Sequence, residues 1–362
     1  MRPGALLALA LLIGTSSAAA RFVTETAAEG LEHPWALAFL PNGNALITER
    51  PGRLLRIDLQ TGGRAVITGT PRVDARGQGG LLDIELHPEF ADNRLVYLTW
   101  AGQCDGGNAT HLGRGRLDGN QLTGFETLFV AEPCVRSTKH FGSRIVFDRD
   151  GYLFMTTGDR GERDRAQDLG DHNGSVLRLN ADGSVPRDNP LVDRSDAQPA
   201  IYSFGHRNPQ GAAIHPDTGA LWIHEHGPRG GDEINLPEPG ANFGWPETTH
   251  GREYWGPEIG PDTLPGTIPP IHHWTPSIAP SGMAFYTGKA FPEWQGHLFV
   301  GALAQVHLAH LALDDRQVVD EERLLTDRRR RIRAVEEGPD DRIYLLTDHA
   351  DGELLRLTPA TP

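Results

Sequence analysis

The 362-residue chain is short of sulfur and almost without lysine. It has two cysteines, three methionines, and lysine only at Lys139 and Lys289. No Cys-x-x-Cys-His run is present, so no haem is attached through thioether links, and redox electrons would have to leave to a separate partner. Long apolar runs are also missing after the first 20 residues, and a bilayer span needs about 20 apolar residues in succession. Positive charge is in deficit: the formal net charge is −14. Such a surface repels phosphate backbones, which argues against a nucleic-acid partner. The Arg328–Arg331 run followed by Arg333 is a local basic stretch in an acidic chain and does not reverse that conclusion.

The N-terminus reads as an export signal. Arg2 precedes an apolar run from Ala5 to Ile13, and small residues end at Ala18-Ala19-Ala20, the pattern of a cleaved secretory leader. Residues 1–20 are therefore expected to be removed, leaving one domain over 21–362 in the periplasm or outside the cell. Cys104 and Cys134 suit a single disulfide in that oxidising setting, with free buried thiols as the alternative.

Glycine (43) and proline (27) are abundant, and few stretches keep a helical period. A hairpin unit recurs instead. Its copies are WALAFLPNGNALITER from Trp35, LLDIELHPEFADNRLVYLTW from Leu81 and SRIVFDRDGYLFMTTGD from Ser143. They continue with GAAIHPDTGALWIHEHG from Gly211, GMAFYTGKAFPEWQGHLFVGAL from Gly282 and IRAVEEGPDDRIYLLTD from Ile332. Each places two apolar strands around a turn bearing Asn-Gly, Asp-Gly, Thr-Gly or a Pro-Asp variant, the residues that supply hairpin dihedrals. The copies begin roughly 45 to 70 residues apart, room for a four-stranded blade and a variable loop. Six copies predict an all-β, six-bladed β-propeller, with residues 160–200 and 245–280 as long loops where function would sit.

Three segments carry chemistry. KHFGSRIVF sets His140 just ahead of a strand and upstream of TTGDRGERD; YSFGHRNPQGAAI offers Arg207 and Asn208; HEHGPRGGDEINLPEPGANFGWP combines Glu225, Asp232 and Glu233 with glycines. Together they supply a base, a cation beside an amide donor, and an oxygen-rich loop suited to a hard cation such as Ca²⁺. His224 and His226 make zinc the competitor, although two imidazoles without a third ligand are weak evidence. Taken singly, each residue has an ordinary structural explanation: a satisfied polar histidine, an inter-blade arginine, a turn glycine.

In this order and spacing, RNPQG, HGPRGGDEIN and NFGWP resemble the glucose/sorbosone dehydrogenase family of pyrroloquinoline quinone (PQQ) enzymes, over Leu31 to about Leu357. The shorter aldose sugar dehydrogenases are the most similar branch. The resemblance implies His140 as general base, oriented by Asp159, and a cofactor contact at Gln78 in GQGGLLDIELHP. It implies Arg207 and Asn208 at the reactive quinone carbonyl, and Arg331 and Arg333 at the cofactor carboxylates. Tyr254 would be a further cofactor contact. The Gly227 and Pro228 carbonyls would ligate a cofactor-bound Ca²⁺, and Glu233 with the Phe243 carbonyl a structural one. Two positions depart from the family pattern: Ala304-Gln305 stand where a lysine is frequent, and Ala334 where an acid is frequent.

The implied activity is oxidation of an aldose at C1 to its lactone, with electrons passed to an external acceptor. A calcium-dependent lactonase would instead need acids from several blades around one metal, and gives no reason for Arg207–Asn208 or for the arginines at 331 and 333. A non-catalytic sugar- or protein-binding propeller is the third reading, since a fold does not fix a function.

Overall fold

A computed structural model describes residues 22–360; the leader expected at 1–20 lies outside them. Six four-stranded antiparallel sheets make up almost all of the regular structure. Blade 1 comprises Pro34–Phe39, Ala45–Glu49, Arg53–Ile57 and Arg64–Ile67, and blade 2 Leu81–Leu86, Leu95–Cys104, Gly107–Asp118 and Gln121–Val130. Blade 3 comprises Ile145–Phe147, Leu153–Thr156, Ser175–Leu179 and Ile201–Phe204. Blade 4 comprises Pro209–Ile214, Leu221–Glu225, Asp232–Asn235 and His272–Trp274, and blade 5 Pro280–Phe285, Leu298–Ala302, Leu308–Asp314 and Gln317–Leu324. Blade 6 runs Ile332–Glu337, Ile343–Thr347, Gly352–Pro359, and then takes Phe22–Leu31 from the other end of the chain as its outermost strand.

The expected propeller is thus present, and each repeat copy supplies the two inner strands of a blade. Asn42-Gly43 shows why the turns have this chemistry: Gly43 has φ +83°, which a side chain would oppose. The segment 160–200 is not one long loop, because Ser175–Leu179 is the third strand of blade 3 and Arg163–Gln167 forms a 3₁₀ turn. Likewise 245–280 contains the outer strand of blade 4, His272–Trp274, only three residues long.

Each pair of neighbouring blades shares a buried apolar cluster. Trp35, Leu46, Leu81 and Trp100 join blades 1 and 2; Leu37, Ile47, Tyr344 and Leu346 join blades 6 and 1. Fully burying one such side chain contributes about 1.5–3 kcal/mol. The junction of blades 3 and 4 is thinner, with Phe154, Val176, Leu221 and Ile223 as its buried apolar members. Polar groups take over there. The Glu225 carboxylate, buried, accepts hydrogen bonds from His206 Nδ1 (2.8 Å), Asn235 Nδ2 (3.0 Å) and the Arg207 backbone N–H. A buried acid satisfied three times fixes the backbone where Arg207 enters blade 4.

Cys104 and Cys134 form a disulfide, with 30 residues of separation. It joins the tip of the long blade 2 hairpin to the segment that leads to His140. In the chain-entropy picture a loop of this length stabilises the fold by about 3–4 kcal/mol. A Cys104→Ser/Cys134→Ser double variant is therefore expected to lose about 3–4 kcal/mol of unfolding free energy and to show a lower denaturant midpoint, with an m-value that rises as the unfolded chain expands. An unchanged midpoint would remove the bridge from the account of stability.

Candidate functional site

Antiparallel blades bring two kinds of chain position to the same face of the ring: the residues entering each inner strand and those leaving each second strand. Entering residues include Gln78, His140, Arg207-Asn208, Ala279 and Arg331. Leaving residues include Arg50, Asp159, His226, Leu303-Ala304 and Asp348. A cavity of about 240 Å³ opens among them, walled by Arg50, Gln78, Asn208, Gln210, Arg331, Arg333 and Asp348, with Trp35, Phe141 and Leu303 as apolar lining.

His140 stands one residue before the lining residue Phe141. Its side chain is 11% exposed, so it is accessible without being solvated. Three contacts hold it. Its backbone N–H donates to Gln78 Oε1 at 2.7 Å, and its Nδ1 donates to Asp159 Oδ1 at 2.6 Å. Gly158 crosses so closely that a Cβ there would lie 2.4 Å from the His140 carbonyl oxygen. The backbone accepts φ +50° at His140, a strained value for a non-glycine residue that surrounding contacts must maintain. Asp159 is fixed in turn by Trp245 Nε1 on Oδ2 (2.9 Å) and by the Gly161 N–H on Oδ1 (2.7 Å).

Burial pushes the His140 imidazole below its usual range; the bond to Asp159 partly offsets this, and the Arg207 charge adds to the lowering. Burial alone would raise Asp159, but the bond to His140 and the charges of His140 and Arg207 hold it below the ordinary carboxylate range. With Nδ1–H donated to a carboxylate, the lone pair of His140 lies on Nε2, the arrangement of a base ready near neutral pH.

Arg207 points its guanidinium at the His226 carbonyl (3.0 Å) and the Tyr254 hydroxyl (3.4 Å). Asn208 Oδ1 accepts from the Gly142 N–H at 3.2 Å, leaving the amide NH₂ as its donor end in the cavity wall. On the opposite wall Arg331 and Arg333 both reach Asp348 Oδ2, at 2.9 and 3.0 Å. Burial would raise Asp348, yet the two arginines win and hold it well below the carboxylate range. Arg144 backs the lining residue Trp35: its guanidinium lies 4.0 Å over the Trp35 ring and bonds to Asp83 at 3.0 Å.

A much smaller void lies beside Arg207, bounded by Glu225, His226, Gly227, Gly231, Glu233, Phe243, Trp245, Thr248 and Thr249. Burial and the neighbouring Glu225 push the Glu233 carboxyl up, and burial pushes Asp232 up to about 6. Asn235 Nδ2 bonds to both Glu225 and Glu233 while its Oδ1 is buried without a partner. Glu225 and Glu233 beside this small space, with the Asn235 Oδ1 nearby, are oxygen donors that could hold a hard cation. Of the four expected metal residues, Gly227, Glu233 and Phe243 border this void; Pro228 is buried against Gly251. His226 Nε2 donates to the Pro280 carbonyl at 2.6 Å, and His224 is buried against Gly211.

The cavity therefore gathers Gln78, Asn208, Arg331 and Arg333, with His140, Asp159 and Arg207 alongside; Tyr254 is exposed at its edge, tied in by Arg207. Sequence reasoning missed Arg50, Asp348, Gln210, Trp35 and Trp245. A signal for two of them was present: TER and LTD close the first and last repeat copies on a charged residue, in the place where TGD carries Asp159.

A family model described as Glucose / Sorbosone dehydrogenase matches residues 31–356. The aldose sugar dehydrogenase YliI of Escherichia coli (strain K12) is 46% identical over 342 residues, covering 92% of both chains. The structure of the soluble aldose sugar dehydrogenase from Escherichia coli in its apo-form superposes with a TM-score of 0.91 at 44% identity, over 94% of this chain and 100% of that one. The PQQ-bound form of the aldose sugar dehydrogenase from Streptomyces coelicolor gives 0.78 at 29% identity, over 94% and 99%.

The electrostatics of His140 lead to a direct expectation. Followed by NMR, the His140 imidazole should titrate below 6.5 in the cofactor-free protein. Asp159→Asn, which removes a stabilising anion, should move the midpoint lower still, and Arg207→Leu should move it up. A midpoint above 6.5 would contradict the geometry.

Proposed function

Because this chain belongs to the glucose/sorbosone dehydrogenase family, we propose that it oxidises aldose sugars at C1 to lactones with PQQ as cofactor and passes the electrons to a separate acceptor. The observation that carries the reading is the Trp245–Asp159–His140 relay set beside Arg207 and Asn208, at the edge of an arginine-walled cavity. The export-type N-terminus and the disulfide support a periplasmic or secreted location.

The residues present fit a flat, anionic quinone. Arg50, Arg331 and Arg333 supply positive charge, Trp35, Phe141 and Leu303 apolar surface, and Gln78, Gln210 and Asn208 amide groups. Arg331 and Arg333 would hold carboxylates of the cofactor. The acidic void bounded by Glu233 and Phe243 fits Ca²⁺, and the Gly227-Pro228 turn would offer carbonyl oxygens to a second ion. When bound, PQQ supplies a carbonyl carbon that accepts hydride, made more electrophilic by Ca²⁺ as a Lewis acid.

The chain's own part is proton management and charge stabilisation. A sugar hydroxyl releases hydride from its carbon only as its proton leaves. His140 Nε2 takes that proton, and the resulting imidazolium is stabilised by Asp159, itself kept ionised by its neighbours. Trp245 and Gly161 prevent Asp159 from turning away. Arg207, whose backbone is fixed through Glu225, and Asn208, fixed through Gly142, would supply a cation and an amide donor to the acceptor oxygen as it gains negative charge. Both are already oriented before substrate arrives, so little reorganisation is needed.

Apoprotein supplied with PQQ and Ca²⁺ should reduce an artificial dye in the presence of aldoses. His140→Ala should lower kcat by roughly 10²–10⁴-fold while still binding PQQ. PQQ binding without dye reduction by any aldose would overturn the sugar-dehydrogenase assignment; no binding would favour a non-catalytic propeller.

Calcium has its own test. Adding it to chelator-treated protein should raise the unfolding free energy, by about 2.7 kcal/mol at a hundredfold excess over Kd. In Glu233→Gln that gain should be much smaller. A wild-type melting temperature insensitive to calcium would refute the ion site.

A further inference from the structure

Three arginines line the cavity, and they are not equivalent. Arg331 and Arg333 already share one carboxylate, Asp348. Arg50 has no carboxylate partner among the described residues: its guanidinium donates only to backbone oxygens, from Nε to Gly79 O at 3.1 Å and from Nη2 to Gly77 O. It leaves the second strand of blade 1 at the position where Asp348 leaves that of blade 6. Blades 6 and 1 adjoin, so Arg50 lies on the same arc of the wall as the Asp348 pair. On the far side of blade 6, Leu303 and Ala304 leave the second strand of blade 5 and bring no charge to the wall.

A half-buried guanidinium without an anion is costly, and burial does lower the proton affinity of Arg50, with only the shared Asp348 acting against it. Its two carbonyl acceptors satisfy part of its donor fork and leave the remaining N–H groups toward the cavity it lines. The same two bonds hold the Gly77–Gly79 turn, whose middle residue Gln78 also lines the cavity and accepts from the His140 N–H.

We propose that Arg50 is a cofactor anchor: it binds a carboxylate of PQQ from blade 1, giving the cavity a third cationic contact beside Arg331 and Arg333, on the wall opposite Arg207–Asn208. This rests on the PQQ reading of the same site. PQQ carries three carboxylates, and two arginines that share one aspartate do not balance them. Arg50 supplies the unshared positive charge, and because it also holds the Gln78 turn, it couples cofactor binding to the backbone that carries the base.

The test is equilibrium binding of PQQ to calcium-loaded apoprotein, read by quenching of tryptophan fluorescence and independent of turnover. Arg50→Gln should weaken PQQ binding roughly ten- to a hundredfold, the worth of a charged hydrogen bond. Arg50→Gln also alters the Gln78 turn, so a second variant separates charge from structure. Adding Ala304→Lys to Arg50→Gln returns a cation to the same cavity from blade 5 and should recover most of the lost affinity. A wild-type Kd in Arg50→Gln overturns the assignment, as does a loss that Ala304→Lys leaves untouched. If the wild-type protein itself does not bind PQQ, the proposed function fails with it, an outcome distinct from either.

Discussion

The ring of six sheets closes through its last blade, which takes its outer strand from the opposite end of the chain. Phe22–Leu31 pairs with Gly352–Pro359, and apolar clusters between neighbouring blades hold the closed ring together. The same closure dictates where chemistry can occur. In an antiparallel blade, the start of the inner strand and the end of the second strand must meet on one face. Six such meetings, forced toward one axis, bring residues from across the chain within reach of one ligand. His140 and Asp159 come from the two ends of one hairpin in blade 3; Arg50, Arg333 and Asp348 come from opposite ends of the sequence.

The fold was readable because a hairpin with a turn signal recurs, and that pattern depends on local chemistry alone. Its two inner strands were visible in every blade. Ser175–Leu179 was hidden because a polar excursion separates it from its hairpin, and His272–Trp274 is too short to show alternation. The closing strand Phe22–Leu31 was hidden for a different reason: its partner is over 300 residues away, and no local signal marks it.

The site was legible in the same uneven way. His140, Asp159, Arg207, Asn208, Arg331 and Arg333 sit in motifs with distinctive spacing, and the ring brings them together. Arg50 and Asp348 sit in plain strand ends, where one charged residue looks like any solvated one. Their meaning comes from convergence: Asp348 is bonded to two arginines, whereas Arg50 makes no ion pair with a carboxylate among the described residues. The junction of blades 3 and 4 shows a related trade. It gives up apolar packing for the buried Glu225 network, and that network is what positions Arg207.

The proposed oxidation requires hydride to leave the sugar C1 as His140 removes the hydroxyl proton. The most direct measurement is anaerobic single-turnover reduction of bound PQQ, followed by absorbance, with an aldose carrying protium or deuterium at C1. The account predicts that the sugar reduces the cofactor, and that deuterium slows this with a primary isotope effect. Bound PQQ that no aldose reduces, or a reduction rate indifferent to C1 deuterium, would contradict it.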